Sequence, residues 1–238
     1  MTIQSQIQPP IQLSVNHMRV GWWIVAMAAA VVALGIFREI YIAEFGTGTF
    51  LKDLRHIALD SEHCIGAYFS SLLMVAGAVL MVVMSGADAP AGKWKNYWRV
   101  LAFIFVCLSI DESVSFHEVL IDPLRGAFGL SGILAFAWII PAIACLVVMG
   151  LFYLRFVLAI RDPLRWQLVI AGTVFVFAAV GLEAVGGYFY TIGGFGAGSY
   201  IVTAIIEETL EITGLVILNL ALLGELRRQN RVIEFVSA

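Results

Sequence analysis

The sequence predicts an all-α fold: a polytopic membrane protein built as a bundle of six transmembrane helices, with both termini cytoplasmic (N-in/C-in). Three observations carry that expectation. The 238 residues are 61% hydrophobic and 13% charged, with a mean hydropathy of +0.94, whereas soluble domains are about 25% charged. Six apolar windows approach the ~20 residues that cross a hydrocarbon core as a helix. The basic residues between those windows lie mostly on one side. The chain therefore divides into a cytoplasmic segment at 1–19, a transmembrane domain at 20–224 and a cytoplasmic tail at 225–238. A net charge of −3 and the scattered placement of Lys and Arg leave no nucleic-acid footprint.

The first window, 20–43, follows a polar start whose first basic residue is Arg19. A cleavable signal would carry positive charge earlier, so Val20 onward reads as a retained span. The second is 63–85. The third, 99–121, is purely apolar only from Val100 to Ile110, too short to span. It reaches membrane length if the segment DESVSFHE continues the helix; the alternative is a half-span followed by an interfacial segment. The fourth, 132–154, contains Pro141, which should kink it. The fifth is 167–192. The sixth, 201–224, runs into the basic helix end ELRRQNRVIEF. Between the last two, Gly193-Gly194-Phe195-Gly196-Ala197-Gly198 lacks the Lys-Ser/Thr of a phosphate loop and reads as a flexible outer connection. Cys64, Cys107 and Cys145 fall within or at the edge of apolar windows, without a CxxC pair, and read as packing residues.

Orientation follows from the positive-inside bias. Arg19, Lys93, Lys95, Arg99, Arg155, Arg161, Arg165, Arg227, Arg228 and Arg231 fall on one face; Arg38, Lys52, Arg55 and Arg125 fall on the other. The richer face is the cytoplasmic one. Trp22, Trp23, Trp94, Trp98 and Trp166 fall at that face too, as an interfacial aromatic belt.

Within this frame the informative residues are acidic. Asp111, Glu112, Glu118, Glu183, Glu207, Glu208 and Glu211 lie in windows whose interiors hold no Lys or Arg to pair with them. One charge near a bilayer centre costs about 3 kcal/mol, so seven cost roughly 20 kcal/mol. That exceeds the ~5–15 kcal/mol by which a typical fold is stable. The groups must be protonated, open to water or bound to cations. The direction of the spans gathers them: Asp111 and Glu112 near mid-membrane, and His117 and Glu118 near the outer edge. Glu183, Glu207, Glu208 and Glu211 fall in the outer halves of their spans, with Asp60, Glu62 and His63 at the outer start of the second. His17 and His56 lie outside this group and read as solvated.

Helical spacing limits which of them meet. Glu208 and Glu211 share a face, as do Glu207 and Glu211. Asp111, Ser115 and Glu118 share a stripe, but Asp111 and Glu118 stand about 10.5 Å apart along a continuous axis. Glu112 lies at a depth like that of Glu208.

Three readings follow. The first is a metal site for divalent Fe, Mn or Zn, in dinuclear form at its fullest, since carboxylates with imidazoles from several helices suit those ions. The Glu-x-x-His pair usual in dinuclear centres is absent; the chain offers Glu112-x4-His117, Glu62-His63 and His117-Glu118. Its ligands would be Glu112, His117, Glu183, Glu208 and Glu211, then His63, Glu62, Asp111 and Glu118, with Glu207 facing lipid headgroups or water. As an enzyme it would carry out redox or hydrolytic chemistry on a small lipophilic substrate. The second is a conduit for protons or cations, against which stands the apolar character of the cytoplasmic halves. The third is a structural subunit of a larger membrane complex or a homo-oligomer, with lipids as its immediate partners. A membrane zinc hydrolase of the ceramidase type needs a His-x-x-x-His pair that this chain lacks.

The pair of motifs Asp111-Glu112-x4-His117-Glu118 and Glu207-Glu208-x2-Glu211-x2-Gly214 resembles a group of bacterial multi-span proteins. The likeness covers chiefly the third and sixth spans, with Glu183 between them. It implies a bacterial membrane protein, here expected in the inner membrane, and no particular substrate.

Overall fold

A computed structural model describes residues 17–46, 54–59, 64–87 and 92–229. Among them all regular structure is helical: α1 (His17–Phe45), α2 (Ile65–Ala87), α3 (Lys95–Val114), α4 (Ile121–Phe128), α5 (Ile139–Ala159), α6 (Leu164–Val176), α7 (Glu183–Gly193) and α8 (Gly198–Arg228). A π-helical stretch, Phe177–Leu182, joins α6 to α7 without a break.

Four stretches are long and apolar enough to cross a membrane: α1, α2, α5 and the continuous 164–193. A fifth qualifies if α3 and the segment Phe116–Phe128 count as one span, although a 74° bend separates them. α8, where the sixth window falls, is not among these. It carries the three glutamates and occupies the middle of the bundle, packed by α1, α2, α6 and α7.

The outward surface is the apolar one. Leu151 is 72% exposed and Phe103 67%, while Glu211 is 8% exposed. In water such a surface would drive association; toward lipid it is the ordinary arrangement. Two apolar clusters hold the inside together. Ala28, Phe69, Leu73, Met74, Ile212 and Leu215 join α1, α2 and α8. Further along the same helices Met81, Met84, Trp98, Phe156, Leu222 and Leu226 lie in a larger cluster that takes in α3, α5 and α6.

Several expectations change here. The third window does not continue through DESVSFHE: α3 stops at Val114, and it gains its length at the other end by starting at Lys95. Its 20 residues then span about 30 Å. Pro141 does not kink a helix but lies in the first turn of α5, which starts at Ile139 rather than 132. A missing N–H is tolerated there because first-turn amides have no helical partner. The aromatic belt divides: Trp22 and Trp23 are 71% and 69% exposed, whereas Trp98 is 3% exposed, edge-on to Phe156. Tyr97 stacks on Phe152 and Phe156, and Tyr153 donates its hydroxyl to the Tyr97 carbonyl at 3.0 Å. This aromatic group ties α5 to the start of α3. Of the cysteines, only Cys64 is buried; Cys107 and Cys145 face outward. The glycine-rich connection is packed as well, with Phe195 against Tyr190 at 4.4 Å and Tyr200 at 5.2 Å.

α6 approaches α8 closely at Gly214, where an added Cβ would sit 2.9 Å from the Phe175 amide nitrogen and 3.0 Å from the Ala171 carbonyl. Small residues permit such approach where lipid offers no hydrophobic drive. Gly214→Val should therefore overpack the seam and lower the melting temperature of detergent-purified protein by roughly 3–10 °C. Gly172→Ala, with nothing within 4 Å of its new methyl, should leave melting unchanged or slightly raised.

Candidate carboxylate site

The site is assembled where α3 ends. Ser115 is left-handed (φ 55°, ψ 43°), and its amide bonds the Asp111 carbonyl at 2.6 Å, closing the helix. The next amides lose their helical partners, and Asp111 supplies one. Its Oδ1 accepts from the His117 amide at 3.0 Å, and its Oδ2 lies 2.8 Å from His117 Nδ1. Asp111 thus caps the 3-10 turn Phe116–Leu120. A carboxylate on Nδ1 also fixes the ring, leaving Nε2 for other work.

The His117 ring packs against the indole of Trp138, centroids 4.5 Å apart, and Trp138 Nε1 donates to Glu183 Oε1 at 3.0 Å. Glu183 is the first residue of α7, directly after the π-helical stretch. π turns carry an extra residue each, so α7 presents a different face from the one α6 would have continued. Glu183 is within electrostatic reach of Glu207 of α8, whose Oε2 lies 4.0 Å from where a Cβ on Gly186 of α7 would sit. Glu207 is therefore turned inward, against the expectation that it faces headgroups or water.

Beside this network lies the tightest gathering of acids. One carboxylate oxygen each from Glu112, Glu208 and Glu211 lies within 4.8 Å of the other two. Glu208 and Glu211 are three apart on α8, on one face; Glu112 comes from α3. Glu211 is buried, and the other two are half-buried. Cys64, at the start of α2, is within electrostatic reach of Glu208 and Glu112; its Sγ accepts the Ala67 amide at 3.2 Å, capping that helix.

The proposed ligands therefore separate into groups. Glu112, Glu208 and Glu211 come together. Asp111 and His117 pair with each other. Glu183 is held by Trp138, with Glu207 nearby. Glu118 is exposed on the 3-10 turn, and the break at Ser115 removes the stripe it was expected to share with Asp111. Glu62 and His63, like Asp60, lie outside the described residues. His17 lies at the far end of α8, in a crevice with Leu223 and Arg227. Trp138 was missed as a site residue. The available signal was an indole N–H inside an apolar window, a donor that needs a partner once buried.

Residues 17–226 match the family described as "Domain of unknown function (DUF8692)", and the chain belongs to that family. No curated protein and no solved structure matches it.

The break gives a direct check. A β-branched side chain is strained in the left-handed region, so Ser115→Val should destabilise the protein by about 1–2 kcal/mol. Ser115→Gly should leave the melting temperature unchanged or raise it. Thermal unfolding of the two purified variants distinguishes these outcomes.

Proposed function

We propose that this member of the DUF8692 family is a six-span bacterial inner-membrane protein, with both termini cytoplasmic, that binds a divalent cation of the Fe, Mn or Zn class between Glu112, Glu208 and Glu211. The observation that carries the reading is the convergence of three carboxylate oxygens within 4.8 Å, from residues about a hundred positions apart in the chain. Metal–oxygen bonds of about 2.0–2.6 Å place the oxygens around one ion no more than ~4–5 Å apart. The triad meets that limit. One divalent ion would offset two of its three charges, and protons or a second ion the rest. Six spans follow if α8, enclosed by its neighbours, crosses alongside the more apolar helices.

The Asp111–His117 pair alongside adds an oriented imidazole, the equipment of a proton acceptor for hydrolytic or redox chemistry on a small lipophilic substrate. A through-path for ions has less support. Inward of the triad, the facing surfaces of α2, α3 and α8 are filled by Gly77, Phe105 and Leu218, and then by Met81, Met84, Leu222 and Leu226.

Elemental analysis of detergent-purified protein should find stoichiometric Fe, Mn or Zn in the wild type. Glu211→Gln should lose more than nine-tenths of it. Glu183→Gln, altered at a group held by Trp138, should keep most of it. A chelator should lower the melting temperature of the wild type, with bound metal at 100-fold over its Kd stabilising by about 2.7 kcal/mol, and should leave Glu211→Gln unaffected. A wild type free of stoichiometric metal overturns the proposal.

A further inference from the structure

The triad supplies three oxygens, and the helices around it contain a fourth that the sequence does not mark. Ser70 of α2 is fully buried, and its Oγ has no hydrogen-bond partner among the described residues. The neighbouring serines are partnered. Ser71 Oγ bonds the Ser109 carbonyl and hydroxyl at 2.9 and 2.7 Å, and Ser113 Oγ donates to Ser71 at 3.0 Å. Ser85 Oγ donates to the Val82 carbonyl at 2.7 Å. Buried hydroxyls as a rule find partners, and an orphan calls for an explanation.

Where Ser70 faces follows from helix register. A Cβ on Gly77 would contact Leu218 of α8 at 3.4 Å and Phe105 of α3 at 3.7 Å, so that face of α2 looks into the seam between α3 and α8. Seven residues along an α-helix return to nearly the same direction, about 20° off. α2 and α8 run parallel, since Phe69, Leu73 and Met74 pack with Ile212 and Leu215, and Gly77 with Leu218. α3 runs opposite to α2, since Ser71 meets Ser109 and Ser113, and Gly77 meets Phe105. Two turns from the contact of Gly77, Phe105 and Leu218, toward the start of α2, the same three faces present Ser70, Glu112 and Glu211. The unpartnered hydroxyl is therefore level with the carboxylates and directed at them.

We propose that Ser70 is the fourth oxygen ligand of the cation held by Glu112, Glu208 and Glu211, which makes the site an all-oxygen one for a hard divalent ion such as Mn(II). The inference rests on the metal reading above. A hydroxyl adds a donor without adding charge to a cluster already at −3 when ionised. Oxygen-only donor sets of this kind suit Mn, Mg and Ca and disfavour soft ions.

Mn(II) binding to chelator-stripped, detergent-purified protein, followed by electron paramagnetic resonance, tests this. Ser70→Ala should weaken Mn(II) binding about tenfold and alter the bound-ion spectrum. Melting of the metal-free protein should not fall, because Ser70 Oγ gives up no bond. Ser71→Ala, whose hydroxyl serves α3, should bind Mn(II) within about twofold of wild type. Ser70→Cys, a near-isosteric exchange of a hard donor for a soft one, should shift preference from Mn(II) toward Cd(II) by tenfold or more. Wild type that binds Mn(II), with Ser70→Ala equal to it in affinity and spectrum, overturns the assignment of Ser70 alone; so does Ser70→Cys with an unchanged Cd(II)/Mn(II) ratio. Wild type that binds no divalent ion overturns the metal reading and this inference with it.

Discussion

Glu112, Glu208 and Glu211 hold carboxylate oxygens within 4.8 Å of one another inside a bundle whose outer surface is apolar, and that repulsion is what the surrounding structure has to accommodate. Two unit charges at this separation repel by about 3 kcal/mol in a medium of effective dielectric 20. Three such pairs approach the whole stability of an ordinary fold. Fully ionised and uncompensated, the triad would not be retained, so a cation, protons or both must share the site. Burial sharpens the requirement. α8, the helix with two of the three acids, is packed by α1, α2, α6 and α7, where dispersing charge into water is hard.

The irregular parts of the backbone concentrate around this centre. Ser115 ends α3 in the left-handed region, three residues after Glu112. The π-helical stretch Phe177–Leu182 immediately precedes Glu183. Regular helices would have continued past both points and sent the following side chains elsewhere. Instead, the break frees amides that Asp111 binds, and that in turn sets the His117 ring against Trp138. The π turns then bring Glu183 to the indole from the other side. Each deviation is accompanied by a polar contact, Asp111 to the His117 amide after the break and Trp138 to Glu183 after the π turns.

The acidic content of the site was open to sequence reasoning because charge in an apolar window is costly and therefore meaningful. Its grouping was only partly so. The i, i+3 pair on α8 follows from helix spacing, and depth alone brings Glu112 level with Glu208. The separation of Asp111 and His117 from the triad could not be read. It depends on the choice of DESVSFHE between a helix and a capped break, and Asp and Ser favour the break only by offering the backbone alternative hydrogen bonds. The start of α5 was misplaced because apolar residues 132–138 look the same whether they are helical or folded as turns, and only Pro141 carries a boundary signal. The π turns have no composition signature at all. Ser70 was invisible for a different reason: serine is ordinary in membrane helices, and its significance lies in lacking a partner, which only coordinates can reveal.

The spacing of the carboxylates is set from a distance. α3 and α8 meet through side chains more than through backbone contact, and α2 packs closely against both. The gap between Glu112 and Glu211 is therefore determined by what α2 places in the seam. At Gly77 the absence of a side chain lets Phe105 and Leu218 close over the helix; two turns away, Ser70 occupies the same stripe with the smallest side chain that carries a hydroxyl. A bulkier residue at either position would wedge α3 from α8. Since the acids extend from rigid helices, the wedge would carry over to their oxygens. Small residues on α2 and acids on its two neighbours are thus one device: the first fix how far apart the second can stand.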